Sequence, residues 1–115
     1  MSAEWREIPG WPNYEASDDG RVRSWRVRGF GVARRAAVPR VLAPWTQAGY
    51  RRVHLCAGGA RRRNRTVGVL VLLAFVGPRP AGYEARHLNR SKADDRLPNL
   101  EWRPRERRRR PEAPA

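Results

Sequence analysis

The side chains best suited to chemistry lie in one C-terminal stretch. From Tyr83 to Trp102 the sequence reads YEARHLNRSKADDRLPNLEW. It closes a candidate strand with His87, crosses a polar loop and returns through Asn99-Leu100-Glu101-Trp102. An imidazole at a strand end, facing a carboxamide on the next strand, suits metal-assisted cleavage of a phosphodiester. Such a bond resists attack unless nucleophile activation and charge neutralisation coincide. Asp94 and Asp95 stand in the loop, and with Glu84 and Glu101 they are the carboxylates near His87. Their oxygens could hold a hard cation. The plainer reading makes Asp94 and Asp95 turn residues paired with Arg90 or Arg96. Arg86, directly before His87, cannot ligate a metal.

The charge of the chain points the same way. Its 115 residues carry a net charge of +14 and a pI near 11.7, and Lys92 is the only lysine. Guanidinium groups present a planar fork of donors that matches phosphate oxygens or a guanine edge. A coding bias explains Arg in place of Lys but not the excess of positive charge. A polyanion, and duplex DNA first, is the expected partner. Candidate contacts are Arg21, Arg23 and Arg26, the run Arg61, Arg62, Arg63 and Arg65, then Arg86, Arg105, Arg107 and Arg108. No small-molecule substrate is called for. Cys56 is the only cysteine, so no intrachain disulfide can form, and a reducing, cytoplasmic setting fits. The start of the chain has no apolar signal-like run, and Val67 to Val76 is too short to span a bilayer. No membrane partner is expected.

The elements that must position these residues are short. Trp5 to Ile8 and Tyr14 to Ser17 read as strands, with Asp18-Asp19-Gly20 as a hairpin turn. Arg21 to Val27 alternates, placing Val22, Ser24 and Arg26 on one face and Arg21, Arg23, Trp25 and Val27 on the other. Trp5 and Tyr14 are expected in the core. Residues 29–40 read as a flexible basic insertion. Val41 to Trp45 and Tyr50 to Cys56 form a second hairpin around Ala48-Gly49, with His54 facing solvent. The arginines from 61 to 65 read as a loop that clamps a phosphate backbone. Val67 to Phe75, stopped by Gly77-Pro78, fits a short buried helix. Tyr83 to Leu88 and Leu97 to Trp102 are strands. Pro104 opens a helix through the following arginines, and residues 111–115 form a disordered tail.

Two segments resemble one family architecture. WREIPGWPNYEASDDGRVRS (residues 5–24) is similar to the NUMOD motif that precedes many phage and mobile-element nuclease domains. The match rests on Trp5, Ile8, Gly10, Tyr14, Ser17, Gly20, Val22 and Ser24. HLNRSKADDRLPNLEW (residues 87–102) resembles the ββα-metal motif of HNH homing endonucleases. The resemblance implies an α+β fold, with a small β-rich N-terminal part (residues 1–60) followed by a buried helix and a ββα motif (residues 61–110). It implies hydrolysis of double-stranded DNA with one divalent metal, Mg²⁺ or Mn²⁺. It gives His87 the general-base role and Asn99 that of the amide holding the loop, with Asp94 and Asp95 as weak candidates for the metal.

The sequence departs from the family pattern at four places. Arg86 stands where an Asp or Asn often reaches the metal, Arg108 near the position of a last ligand, and Gly68 where a His usually follows the first valine of the helix. Asp94 and Asp95 replace a usual pair of asparagines. The alternative reading is therefore a DNA-binding protein that kept the scaffold and lost the metal site. A third, an RNA-binding basic protein, would show itself by preferring RNA over duplex DNA at matched salt.

Overall fold

The computed structural model of the chain describes residues 3–27, 35–56 and 62–105. Among the described residues, nine short strands form three small antiparallel sheets and, with one α-helix, surround a single core, an α+β arrangement. The first sheet holds β1 (Trp5–Glu7), β2 (Tyr14–Ser17), β3 (Val22–Arg26) and β4 (Arg35–Val41) in that order. The second holds β5 (Trp45–Gln47), β6 (Tyr50–Cys56) and β7 (Arg62–Thr66). The helix α1 (Val67–Phe75) follows β7 directly, and β8 (Tyr83–His87) pairs with β9 (Leu100–Pro104). No helix among the described residues is long and apolar enough to cross a membrane.

The helix sequence VGVLVLLAF has no polar face, and the packing explains why. Val67, Leu70, Val71 and Leu72 are buried among Ile8, Tyr14, Ala16 and Val22 of the N-terminal sheet, Val53 and Leu55 of β6, and Leu100 of β9. Val69, Leu73, Ala74 and Phe75 are partly buried as well, so a helix packed on most of its circumference needs apolar residues around it. Leu70 is fully buried. Leu70→Ala is expected to cost about 2–5 kcal/mol of stability, read by urea denaturation.

Local expectations failed where pairing overrode sequence pattern. Residues 35–40, expected in an insertion, form β4 together with Val41, while 28–34 lie outside the described residues. β4 tolerates Pro39 because it is the edge of its sheet. Val41 ends β4, so the partner of β6 in the second hairpin is only Trp45–Gln47. Arg62 to Thr66, expected as a loop, is a strand paired with β6 from Arg52↔Thr66 to Cys56↔Arg62. It lacks apolar alternation because it is an edge strand whose arginines face solvent, a common protection against edge-to-edge association. Residues 97–99 form a 3₁₀ turn before β9, and Pro104 is the last residue of that strand. Residues 106–115, including the expected helix and tail, lie outside the described residues. Tyr14 is core, as expected, and its hydroxyl accepts from the Cys56 amide at 2.9 Å, tying the first two sheets together. Trp5 is not in the core; it is half-buried on the outer face under the guanidinium groups of Arg21 and Arg23.

Candidate active site and basic surface

His87 ends β8, opposite Leu100 on β9. Its Nε2 lies 2.8 Å from Asp95 Oδ1, and both side chains are enclosed, at 8% and 2% exposure. With Asp95 ionised its oxygen only accepts, and a neutral imidazole in this contact would carry its proton on Nε2 and leave the lone pair on Nδ1. Asp95 Oδ2 is buried without a hydrogen-bond partner, and Arg51 lies 3.8 Å from it. Burial pushes the Asp95 carboxyl up from its ordinary range, while His87 and Arg51 pull it back.

Two glycines let the loop reach this depth. A Cβ at Gly68, near the start of α1, would stand 3.0 Å from Asp95 Oδ1, 3.3 Å from Leu100 Cδ2 and 3.5 Å from His87 Nε2. Gly20 has a φ of +88°, and a Cβ there would meet the Asp95 carbonyl carbon and oxygen at 3.0 Å. The β2–β3 turn is thus packed against the His87 loop, and the Leu97 amide donates to Asp18 O at 2.9 Å across the same seam.

Asn99 closes the loop from the other side. Its Oδ1 accepts from the Asn89 amide at 2.9 Å, and its Nδ2 donates to Asn89 Oδ1 at 3.0 Å and to Asp94 O at 2.8 Å. A buried carboxamide with each polar atom engaged fixes the loop path. Asn99→Ala would orphan those groups and is expected to cost about 1–3 kcal/mol. Faster exchange of the Asn89 amide in a hydrogen-exchange measurement would register the loosened loop.

Asp94 is a loop brace. Arg96 grips both of its oxygens at 2.8 Å, and Asn89 Nδ2 donates to Oδ2 at 2.8 Å. The Arg96 guanidinium holds its carboxyl well below the usual range. The turn reading of Asp94 with Arg96 therefore describes its position, whereas Asp95 is turned inward to His87.

The cleft at His87 is lined by Tyr50, Glu84, Ala85, Arg86, Arg90 and Lys92. The Tyr50 ring lies 6.0 Å from the imidazole, and Lys92 Nζ stands 5.0 Å over Tyr50 while donating to Ala48 O. Three cationic side chains and one carboxylate favour an anion. The residues described do not fit a divalent metal: among them no three His, Cys, Asp or Glu side chains gather. A hard cation needs several oxygen ligands. Asp94 is engaged by Arg96, Asp95 by His87, and the open wall is Arg86, Arg90 and Lys92.

The remaining arginines are distributed unevenly. On the outer face of the first sheet, Arg21 pairs with Asp19 and lies over Trp5, while Arg23 pairs with Glu15 between Trp5 and Trp25. Arg26 turns to the other face, toward Tyr14 and Cys56. Arg62, Arg63 and Arg65 are exposed on β7, with Arg65 over Trp11. Arg105 is exposed, 3.7 Å from Glu84. Arg61, Arg107 and Arg108 lie outside the described residues. Sequence reasoning missed Tyr50, Arg51, Arg90 and Lys92 around His87. It also missed Arg52 and Arg79, which with Arg65, Asn64, Thr66, Val69 and Leu73 line a second cleft. Tyr50 and Arg52 are two apart on β6, so strand alternation alone puts them on one face. No sequence signal connects that strand with His87.

Comparisons with known proteins agree with this architecture. The NUMOD4 motif matches residues 4–56, and the HNH endonuclease family matches residues 65–110. No curated protein matches the chain. A solved structure described as "DNA binding and cleavage by the HNH homing endonuclease I-HmuI" superposes with a TM-score of 0.69 at 24% identity, over 88% of this chain. At that identity the likeness speaks for the fold. The chain spans 52% of that protein's length. The two matched segments together take in most of the chain, which carries a NUMOD4 motif followed by a segment matching the HNH endonuclease family.

Proposed function

We propose that the chain binds double-stranded DNA and presents one backbone phosphodiester to His87 for hydrolysis. The observation that carries this reading is the cleft itself: an imidazole with Nε2 engaged by Asp95, beside Arg86, Arg90 and Lys92. The cations hold the phosphate by charge and hydrogen bonding. His87 Nδ1 takes a proton from water, and the water oxygen bonds to phosphorus. One ester P–O bond breaks, and the leaving oxygen takes a proton from solvent. HNH nucleases generally work with a divalent metal. The residues described offer no cage for one, so no step is assigned to it. The exposed arginines of β7 hold the flanking backbone. The reading carries with it a cytoplasmic site of action.

A second reading is favoured by the same wall of cations. Arg86, Arg90 and Lys92 line the cleft at His87 and would repel a divalent cation there, which suits a scaffold that binds DNA without cutting it. Supercoiled plasmid incubated with Mg²⁺ or Mn²⁺, and in parallel with EDTA, separates the two. Nicked or linear product supports hydrolysis. Intact plasmid at saturating protein supports the second reading.

A further inference from the structure

We propose that Asp95 is the positioning residue for His87, and that Gly68 is the vacancy that lets it reach the imidazole. The inference rests on the reading of His87 as the general base, and it reassigns Asp95 from the metal to the histidine. Three observations converge. Asp95 Oδ1 lies 2.8 Å from His87 Nε2, with both side chains shielded from water. The space beside that contact is closed by α1, where a Cβ on residue 68 would stand 3.0 Å from Oδ1. The backbone of Asp95 is fixed from a third side by the β2–β3 turn, because Gly20 packs on its carbonyl group.

The chemistry of the arrangement is that of an orienting carboxylate. An imidazole can rotate about two bonds and carry its proton on either nitrogen. A buried acceptor opposite Nε2 fixes both the ring plane and the tautomer, leaving Nδ1 as the basic atom. Asp94, one residue away, is equally acidic in type but is engaged by Arg96 at the loop surface, so it cannot take this role. Positions 68 and 95 both depart from the family pattern and meet in space. A small residue on the helix and a carboxylate in the loop are then two halves of one change. Any side chain at 68 large enough to fill the gap would push the carboxylate off the ring.

The test uses the full chain with ¹⁵N-labelled histidine, and His54 serves as an internal reference. It is the other histidine of the chain and stacks on Trp45 at the surface. Wild-type protein is expected to show a downfield, slowly exchanging Nε2–H proton for His87. In Asp95→Asn, which keeps the size but not the charge, that signal should move upfield or be lost while the His54 signals stay in place. Gly68→Ala keeps both partners and should weaken the same signal by displacing Oδ1. A wild-type His87 without a protected Nε2–H proton, or one whose signal Asp95→Asn leaves unchanged, overturns the proposal. On cleavage, Asp95→Asn should lower kcat by roughly 10²-fold with KM held, as for loss of an oriented base. The proton signal is independent of turnover. A protein that shows the signal but cuts no DNA would retain the His87–Asp95 relation and lose the nuclease reading instead.

Discussion

Raising salt from about 50 to about 200 mM is expected to weaken duplex binding by roughly 10³-fold, if about six phosphates are contacted. The number follows from the cations that the fold leaves available. Arg62, Arg63 and Arg65 are exposed on an edge strand, and Arg86, Arg90 and Lys92 line the His87 cleft. Each phosphate neutralised releases condensed counterion, so log K falls with log salt at a slope of about −5 for six contacts. Arg21 and Arg23 are discounted because Asp19 and Glu15 already pair with them. Substituting Arg62, Arg63 and Arg65 together should flatten the slope by about 3 without changing sequence preference, since phosphate contacts position and carry no base information. Fluorescence anisotropy across a salt series measures both. A slope unchanged by the triple substitution would remove β7 from the interface.

Loss of the His87 base is expected to lower the cleavage rate by roughly 10²–10⁴-fold while binding persists. The choice of substitution matters. His87→Ala would leave the Asp95 carboxylate buried with neither oxygen hydrogen-bonded, and about 1–3 kcal/mol of stability would go with it. His87→Gln is the cleaner variant. Its side-chain amide can still donate to Asp95, but it offers no basic nitrogen to water. Affinity should be nearly unchanged in this variant, because the phosphate contacts come from neighbouring arginines and Lys92. A single-turnover rate beside a binding curve on the same duplex separates the two effects.

The sequence made the centre of the site legible and its walls obscure. His87 and Asn99 could be singled out because they belong to one motif with fixed spacing; His87 ends β8, and Asn99 lies in the 3₁₀ turn just before β9. The helix Val67–Phe75 was legible to the residue from its length and the Gly77-Pro78 stop, although its β-branched content also allowed a strand. The edge strands were not. Arg62 to Thr66 carries no alternation of its own and becomes a strand only by pairing with β6. Arg35 to Val41 contains a proline that argues against a strand until the edge position is known. Asp94 and Asp95 are adjacent and alike in sequence, yet one faces the surface and the other the core. That difference is set by Gly20 and Gly68, which lie far from them along the chain. Tyr50 and Arg51 reach the site through the second sheet, a long-range contact that local pattern does not encode.

The most direct measurement of the central claim is single-turnover cleavage of supercoiled plasmid by wild type and His87→Gln. Both would be held at saturating protein and low salt with Mg²⁺ or Mn²⁺. Nicking by the wild type, reduced by roughly 10²-fold or more in the variant with binding intact, is the result expected for a general base at His87. Equal rates for the two proteins, or binding without cleavage by the wild type, would contradict it.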